Sequence, residues 1–214
     1  KKFIKELKKQ KIFALDTETD QKDAVGAELV GMSFSWQAKE GYYIPASHAE
    51  LDSASKETLK QVQGDTLKKI LEDPKIKKVG HNIKYDYQVL KQAPDNSSTG
   101  QAGINLAGIE FDTMIASYLL SPGSRSHSLS ALAFQEFGHQ MIPITDLIGK
   151  GPASAKASAG KQKIKQLSMK DVPVEQVAEY AAEDADLTWR LYKKLTPHLS
   201  GGLEKVFYDI EMPL

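Results

Sequence analysis

The chain of 214 residues is 41% hydrophobic and 26% charged, and its 28 basic side chains balance its 28 acidic ones. Such values fit one globular domain with a sizeable core, without the net positive charge that by itself would point to nucleic acid. Cysteine is absent, which excludes disulfides and thiolate metal sites and makes a reducing compartment the simplest reading. No apolar run approaches the ~18 residues of a membrane span, and no signal-peptide pattern is present. Lysines concentrate in "KKFIKELKKQK" (1–11) and "GKGPASAKASAGKQKIKQ" (149–166), where solvated faces and tails are the plain explanation. The first residue is Lys1 and the last five are "IEMPL", so we expect a piece of a longer chain.

"KIFALDTE" (11–18) is a short apolar run that ends in turn formers, as a central strand would. "AELVGMSFSWQ" (27–37) alternates Leu29, Gly31, Ser33 and Ser35 against Val30, Met32, Phe34 and Trp36, which predicts a half-buried strand. "EGYYIPAS" (40–47) carries Pro45 and reads as an edge strand. Helical spacing follows in 55–73, with Ser55 as candidate cap, then a strand in 75–82 and a short helix in 83–92. A strand is expected over 104–113 and helices over 113–120 and 128–138. The longest helix is expected over 173–199, with Pro173 at its start. Residues 93–103 and 149–163 read as loops. Three antiparallel strands followed by alternating strands and helices predict an α/β fold: a mixed five-stranded sheet with helices on both faces.

"FALDTETD" sets Asp16 and Glu18 two apart on a strand, so both point to one face, where two unpaired carboxylates repel. A cation between them would relieve this; exposed acids at a strand end are the alternative. In the long helix the apolar stripe runs Val177, Ala181, Asp184, Thr188, Leu191, Leu195, which puts Asp184 in its middle with Tyr180 one turn earlier on the same face. Glu183 and Asp186 lie off that line and are expected to be solvated. A core-facing Asp needs a partner: a buried Arg, a helix N-terminus or a metal; a structural Asp hydrogen-bonded inside the core is the plain alternative. In "GHNIKYDYQVL", Asn82 and Asp86 are four apart and share a helix face near a strand end, although a surface acid is the plainer reading of Asp86 alone. Asp112 precedes a helix and is expected to cap it rather than to bind metal. Oxygen ligands without Cys or clustered His select Mg²⁺ or Mn²⁺, and two such ions about 3.5–4 Å apart suit in-line attack on a phosphodiester.

"FALDTETD", "VGHNIKYDYQVL" and "YAAEDADLT" resemble, in order and spacing, the three motifs of the DEDD (DnaQ-like, ribonuclease H-like) exonuclease superfamily. More narrowly, with "FDTMIASYLL" and "IEMPL", the chain resembles the 3′–5′ proofreading domain of bacterial DNA polymerase I. The resemblance implies an exonuclease domain over residues 1–206 and the start of a polymerase domain at 207–214. It implies that Asp16, Glu18 and Asp184 hold one divalent cation and that Asp16 and Asp86 reach a second, the two being Mg²⁺ with Mn²⁺ able to substitute. The Tyr-x-x-x-Asp spacing of 180 and 184 marks the tyrosine variant, with Tyr180 orienting the attacking water. An ordinary phenol pKa near 10 suits positioning better than deprotonation.

The implied reaction removes 5′-mononucleotides from single-stranded or frayed DNA 3′ ends, as in proofreading during replication and repair. Substrate contacts are expected from Thr17, Asn82, Lys22 and Arg125, with His127 as a further phosphate candidate; for Arg125 and His127 plain surface roles are the alternative. Lys22 stands where the family often has a Leu wedge, and Ile144 near where it often has an aromatic that packs on DNA. The expected partners are a DNA 3′ end and the polymerase domain of the same chain, with no membrane. The expected state is a monomer in the bacterial cytoplasm, at the nucleoid. An exoribonuclease like RNase D and a catalytically idle scaffold are the alternatives; "IEMPL" speaks against the first, and the full set of acids against the second.

Overall fold

The computed structural model describes residues 2–46, 64–93, 103–149 and 166–213. Helix α1 (Lys2–Leu7) leads into β1 (Ile12–Thr19), which β2 (Leu29–Gln37) and β3 (Glu40–Pro45) follow as an antiparallel meander. Helical residues 64–72 (α2) precede β4 (Lys77–Gly80), α3 (Ile83–Gln92), β5 (Ile109–Asp112), α4 (Thr113–Leu120), α5 (Leu129–Phe137) and α6 (Ile144–Ile148). Then come a 3-10 turn (Met169–Asp171), α7 (Val174–Leu195), a second 3-10 turn and α8 (Gly202–Lys205). The strand order is β3-β2-β1-β4-β5, with β4 parallel to both β1 and β5. This is the expected mixed five-stranded sheet. The expected cap Ser55, the first turns of the helix it was to start, and most of the two loop stretches lie outside the described residues.

Strand alternation sends the side chains of β1 to two different cores. Phe13 and Leu15 join Met32 and Phe34 of β2, Leu7 of α1, Leu67, Ile70 and Leu71 of α2, and Ile83 and Leu90 of α3. On the other face Ala14, Val79 and Phe111 meet Ala116 of α4, Leu132 of α5, and Leu191 and Leu195 of α7. Helices therefore cover both faces. The lysine-rich start is helical, which its composition did not suggest: Phe3 and Ile4 join Leu7 against the sheet, while the lysines of α1 stay exposed.

Three expectations need adjustment. β2 is buried on both faces from Gly31 to Ser35 rather than on one, because α7 lies over its serine face. The 104–113 strand shrinks to Ile109–Asp112, since Gly108 sits at φ 69° and turns the chain just before it. The long helix ends at Leu195 and a 3-10 turn (Thr196–His198) carries Pro197, whose ring cannot continue an α-helix.

Small residues let α7 come close. α7 packs along β2 and β3, and Ala182 of α7 sits directly over Gly41 of β3. A Cβ on Gly41 would run into the Ala182 carbonyl. This approach brings the middle of α7 down onto the C-terminal half of β1.

Candidate metal and active site

Asp16 and Glu18 project from the face of β1 that carries Ala14, and Asp184 projects from α7 toward them. One ligand oxygen from each lies within 4.8 Å of the others. Glu18 and Asp184 are buried, Asp16 partly so. Glu18 Oε1 and Asp184 Oδ1 have no hydrogen-bond partner although both are buried. Orphaned buried carboxylate oxygens are costly, and a hard divalent cation is a group that three converging oxygens fit.

Electrostatics point the same way. Burial pushes the Asp16 carboxyl up from 3.8 to about 7. Glu18 is raised well above its ordinary value, by burial first and then by the charges of Asp16, Asp184 and Asp86. Asp184 is raised too, chiefly by burial and then by Asp16, while the Tyr180 hydroxyl beside it works in the opposite direction. Tyr180 itself is pushed up by burial and by the neighbouring carboxylates, so its phenol keeps its proton. A cation would reverse the carboxylate shifts by rewarding the charged forms.

Asp86 enters from α3 on the other side of β1. Its Oδ1 accepts from the Thr17 backbone N–H at 2.9 Å and from the Thr17 hydroxyl at 2.7 Å. It is buried, and its carboxyl is raised by burial and then by the Asp16 charge. Asp86 is not among the three acids whose oxygens converge, and one of its oxygens remains beyond the Thr17 bonds. The surface-acid reading of Asp86 fails because α3 packs it against β1.

Asp112 does more than the expected capping. Its carboxylate accepts from Met114 and Ile115 at the start of α4 (2.8 and 3.1 Å), and also from Asn82 and Ile83 at the start of α3 (3.2 and 2.7 Å). Four otherwise unpaired N-terminal amides of two helices thus meet one buried side chain.

The expected substrate contacts are spread out. The Thr17 hydroxyl is engaged with Asp86. Asn82 is exposed and precedes α3 in a left-handed conformation (φ 63°), with no capping bond from its side chain; it does not share a helix face with Asp86. Lys22 and Arg125 are exposed on loops. His127 pairs through Nδ1 with the Ser117 hydroxyl at 2.9 Å and stands edge-on to Tyr118. Asp20 leaves the site: it accepts from Glu28 N–H at 2.7 Å and is paired with Lys170 at 3.2 Å, which ties the end of β1 to the turn before α7.

Glu183 and Asp186 are not solvated as expected. Glu183 accepts from Ile142 N–H and pairs with His139 Nε2, both at 2.8 Å, and Asp186 accepts from Lys39 N–H and pairs with Arg190 at 3.5 Å. The partners of Glu183 lie 41 and 44 positions away, so no local spacing could have pointed to them.

A family model described as 3′–5′ exonuclease matches residues 1–200. DNA polymerase I of Pseudomonas aeruginosa is 37% identical over 214 residues, covering 99% of this chain and 21% of its own. DNA polymerase I of Borreliella burgdorferi is 34% identical over 212 residues, covering 99% and 20%. The chain therefore spans about a fifth of the length of these curated relatives. Among solved structures, the catalytic core of RRP6 from Trypanosoma brucei superposes with a TM-score of 0.61 at 17% identity, over 99% of this chain and 48% of that one. This likeness concerns the fold alone, which is ribonuclease H-like.

Proposed function

The chain belongs to the 3′–5′ exonuclease family, and on that premise we propose that it removes 5′-mononucleotides from single-stranded or frayed DNA 3′ ends, as the proofreading part of a longer polymerase chain. The observation that carries the reading is the convergence of Asp16, Glu18 and Asp184 with two buried, unpartnered oxygens among them. In this reading these three side chains hold one Mg²⁺ and Asp16 shares a second with Asp86, Mn²⁺ being able to replace either. Divalent cations so held supply Lewis-acid activation of water and neutralise charge on the phosphate.

The protein's own groups do the rest. Thr17 holds the Asp86 carboxylate through its backbone N–H and its hydroxyl. Tyr180, protonated and beside Asp184, donates a hydrogen bond that orients the attacking water. A paired 3′ end must fray before its last phosphodiester reaches the sheet end, which favours unpaired termini. Asn82, Lys22 and Arg125 are the exposed groups assigned to the strand. The exonuclease unit ends near residue 206, the polymerase part follows from 207, and the working form is a monomer in the bacterial cytoplasm. Among the described residues no helix is long and apolar enough to cross a membrane.

The deciding experiment incubates the protein with 5′-labelled single-stranded DNA and Mg²⁺. One-nucleotide laddering from the 3′ end, lost in Asp16→Ala and in Asp184→Ala, is expected. Cleavage in mid-strand, or no Mg²⁺-dependent shortening, sinks the reading. Faster shortening of an RNA of the same sequence would transfer it to exoribonuclease activity.

A further inference from the structure

Tyr180 can orient a water only if its ring is held, and its ring packs in a small cluster with Val177, Met169, Val172 and Ile148, together with Ile144 and Leu147 of α6. α6 has five residues and no side-chain cap at its start. A helix that short has no stability of its own, so its position depends on how its ends are tied. At its C-terminal end, Leu167 N–H donates to Ile148 C=O at 2.9 Å. At the other end the tie is Glu183: its Oε2 accepts from Ile142 N–H and its Oε1 pairs with His139 Nε2, both at 2.8 Å. Ile142 is followed by Pro143, whose fixed φ passes that anchorage directly to Ile144. Two further ties to α7, Lys194 on Glu136 and Arg190 over Phe137, come from the end of α5, before this loop, and lie farther along α7.

We propose that Glu183 is a positioning residue: by gripping the loop between α5 and α6 it seats α6 against Tyr180 and so fixes where the Tyr180 hydroxyl stands. The inference rests on the reading that Tyr180 orients the attacking water. Glu183 itself holds no cation in this scheme, and its side chain is only 16% exposed, committed to the loop.

Two variants separate this role from a charge effect on neighbouring Asp184. Glu183→Gln removes the charge but keeps an amide oxygen that can accept from Ile142; Glu183→Ala removes both. The expected result on labelled DNA is a kcat lowered on the order of 10- to 100-fold in Glu183→Ala, with KM little changed and Glu183→Gln close to wild type. In a Tyr180→Phe background Glu183→Ala should cost nothing further. Equal losses in the Gln and Ala variants, or losses additive with Tyr180→Phe, overturn the proposal. If Glu183→Ala does not fold, His139→Ala removes one of the two grips and is measured the same way.

A readout without turnover comes from protein labelled with 3-fluorotyrosine, the Tyr180 resonance being assigned by its absence in Tyr180→Phe. That resonance should move in Glu183→Ala and stay in Glu183→Gln; an unmoved resonance in Glu183→Ala overturns the role. Should wild type fail to shorten DNA, the functional reading falls, while the fluorine spectrum still decides the positioning role.

Discussion

Asp112 ties the starts of two helices to one side chain. Its two oxygens serve amides of both α3 and α4, and α3 carries Asp86. A single cap is worth about 1 kcal/mol, and here two caps share one buried side chain, so Asp112→Ala should cost about 2–4 kcal/mol. Urea denaturation should show a lowered midpoint with an unchanged slope, and a shift matching a single surface cap would refute the double role. Lys78 is a second residue whose role was hidden: it lies in a lysine-rich stretch, yet its side chain is fully buried. Its ammonium donates to the Asp73 carbonyl at 2.8 Å, and burial lowers its pKa to about 8. In "KIKKVG" nothing distinguishes this lysine from its exposed neighbours except strand phase, and four residues are too few to fix that phase.

At the scale of elements, the site depends on how close α7 lies to the sheet. Gly41 allows that approach at β3, and Gly31 makes room for the Tyr43 ring beside it. The contact has a cost, since Ser33 Oγ and Thr188 Oγ1 are buried without hydrogen-bond partners. Gly41→Ala adds a methyl where the Ala182 carbonyl already sits. The expected loss is about 1–3 kcal/mol of stability from overpacking. Because α7 carries Asp184, Mg²⁺ affinity should fall as well, with every ligand still present. Thermal melting with and without Mg²⁺ measures both; an unchanged affinity would mean that α7 is seated by its other contacts.

For the whole molecule, the zero net charge conceals a concentration of acids at one place in the fold. Without metal, Asp16 titrates at about 7, and Glu18, Asp86 and Asp184 are raised above their ordinary values as well. A carboxyl that holds its proton more tightly when folded stabilises the fold fully below its unfolded pKa near 4 and loses that contribution as pH rises through the folded value. The melting temperature in EDTA should therefore fall between about pH 4 and pH 7 or above. Added Mg²⁺ should raise it more at pH 8 than at pH 5, because the ion needs the charged forms. A metal-free protein equally stable at both ends of that window would contradict the burial of these acids.

Much of this could be read from one strand and one helix. A spacing of two in β1 put Asp16 and Glu18 on one face, and the +4, +3 stripe in α7 put Asp184 and Tyr180 on another, because side-chain direction in regular elements follows from local geometry. The order of strands and helices predicted the mixed sheet for the same reason. Contacts between elements distant in the chain were beyond such reasoning. Their own helix places Glu183 and Asp186 off the buried line, and loops far away in sequence come back to cover them. The doubly buried β2 and the double cap by Asp112 were invisible for that reason too. Periodicity determined which carboxylates share a face. Only the packing of α7 onto the sheet, and of α3 against β1, decided that the carboxylates of Asp16, Glu18 and Asp184 meet within a few ångströms, with Asp86 held on Thr17 of the same strand.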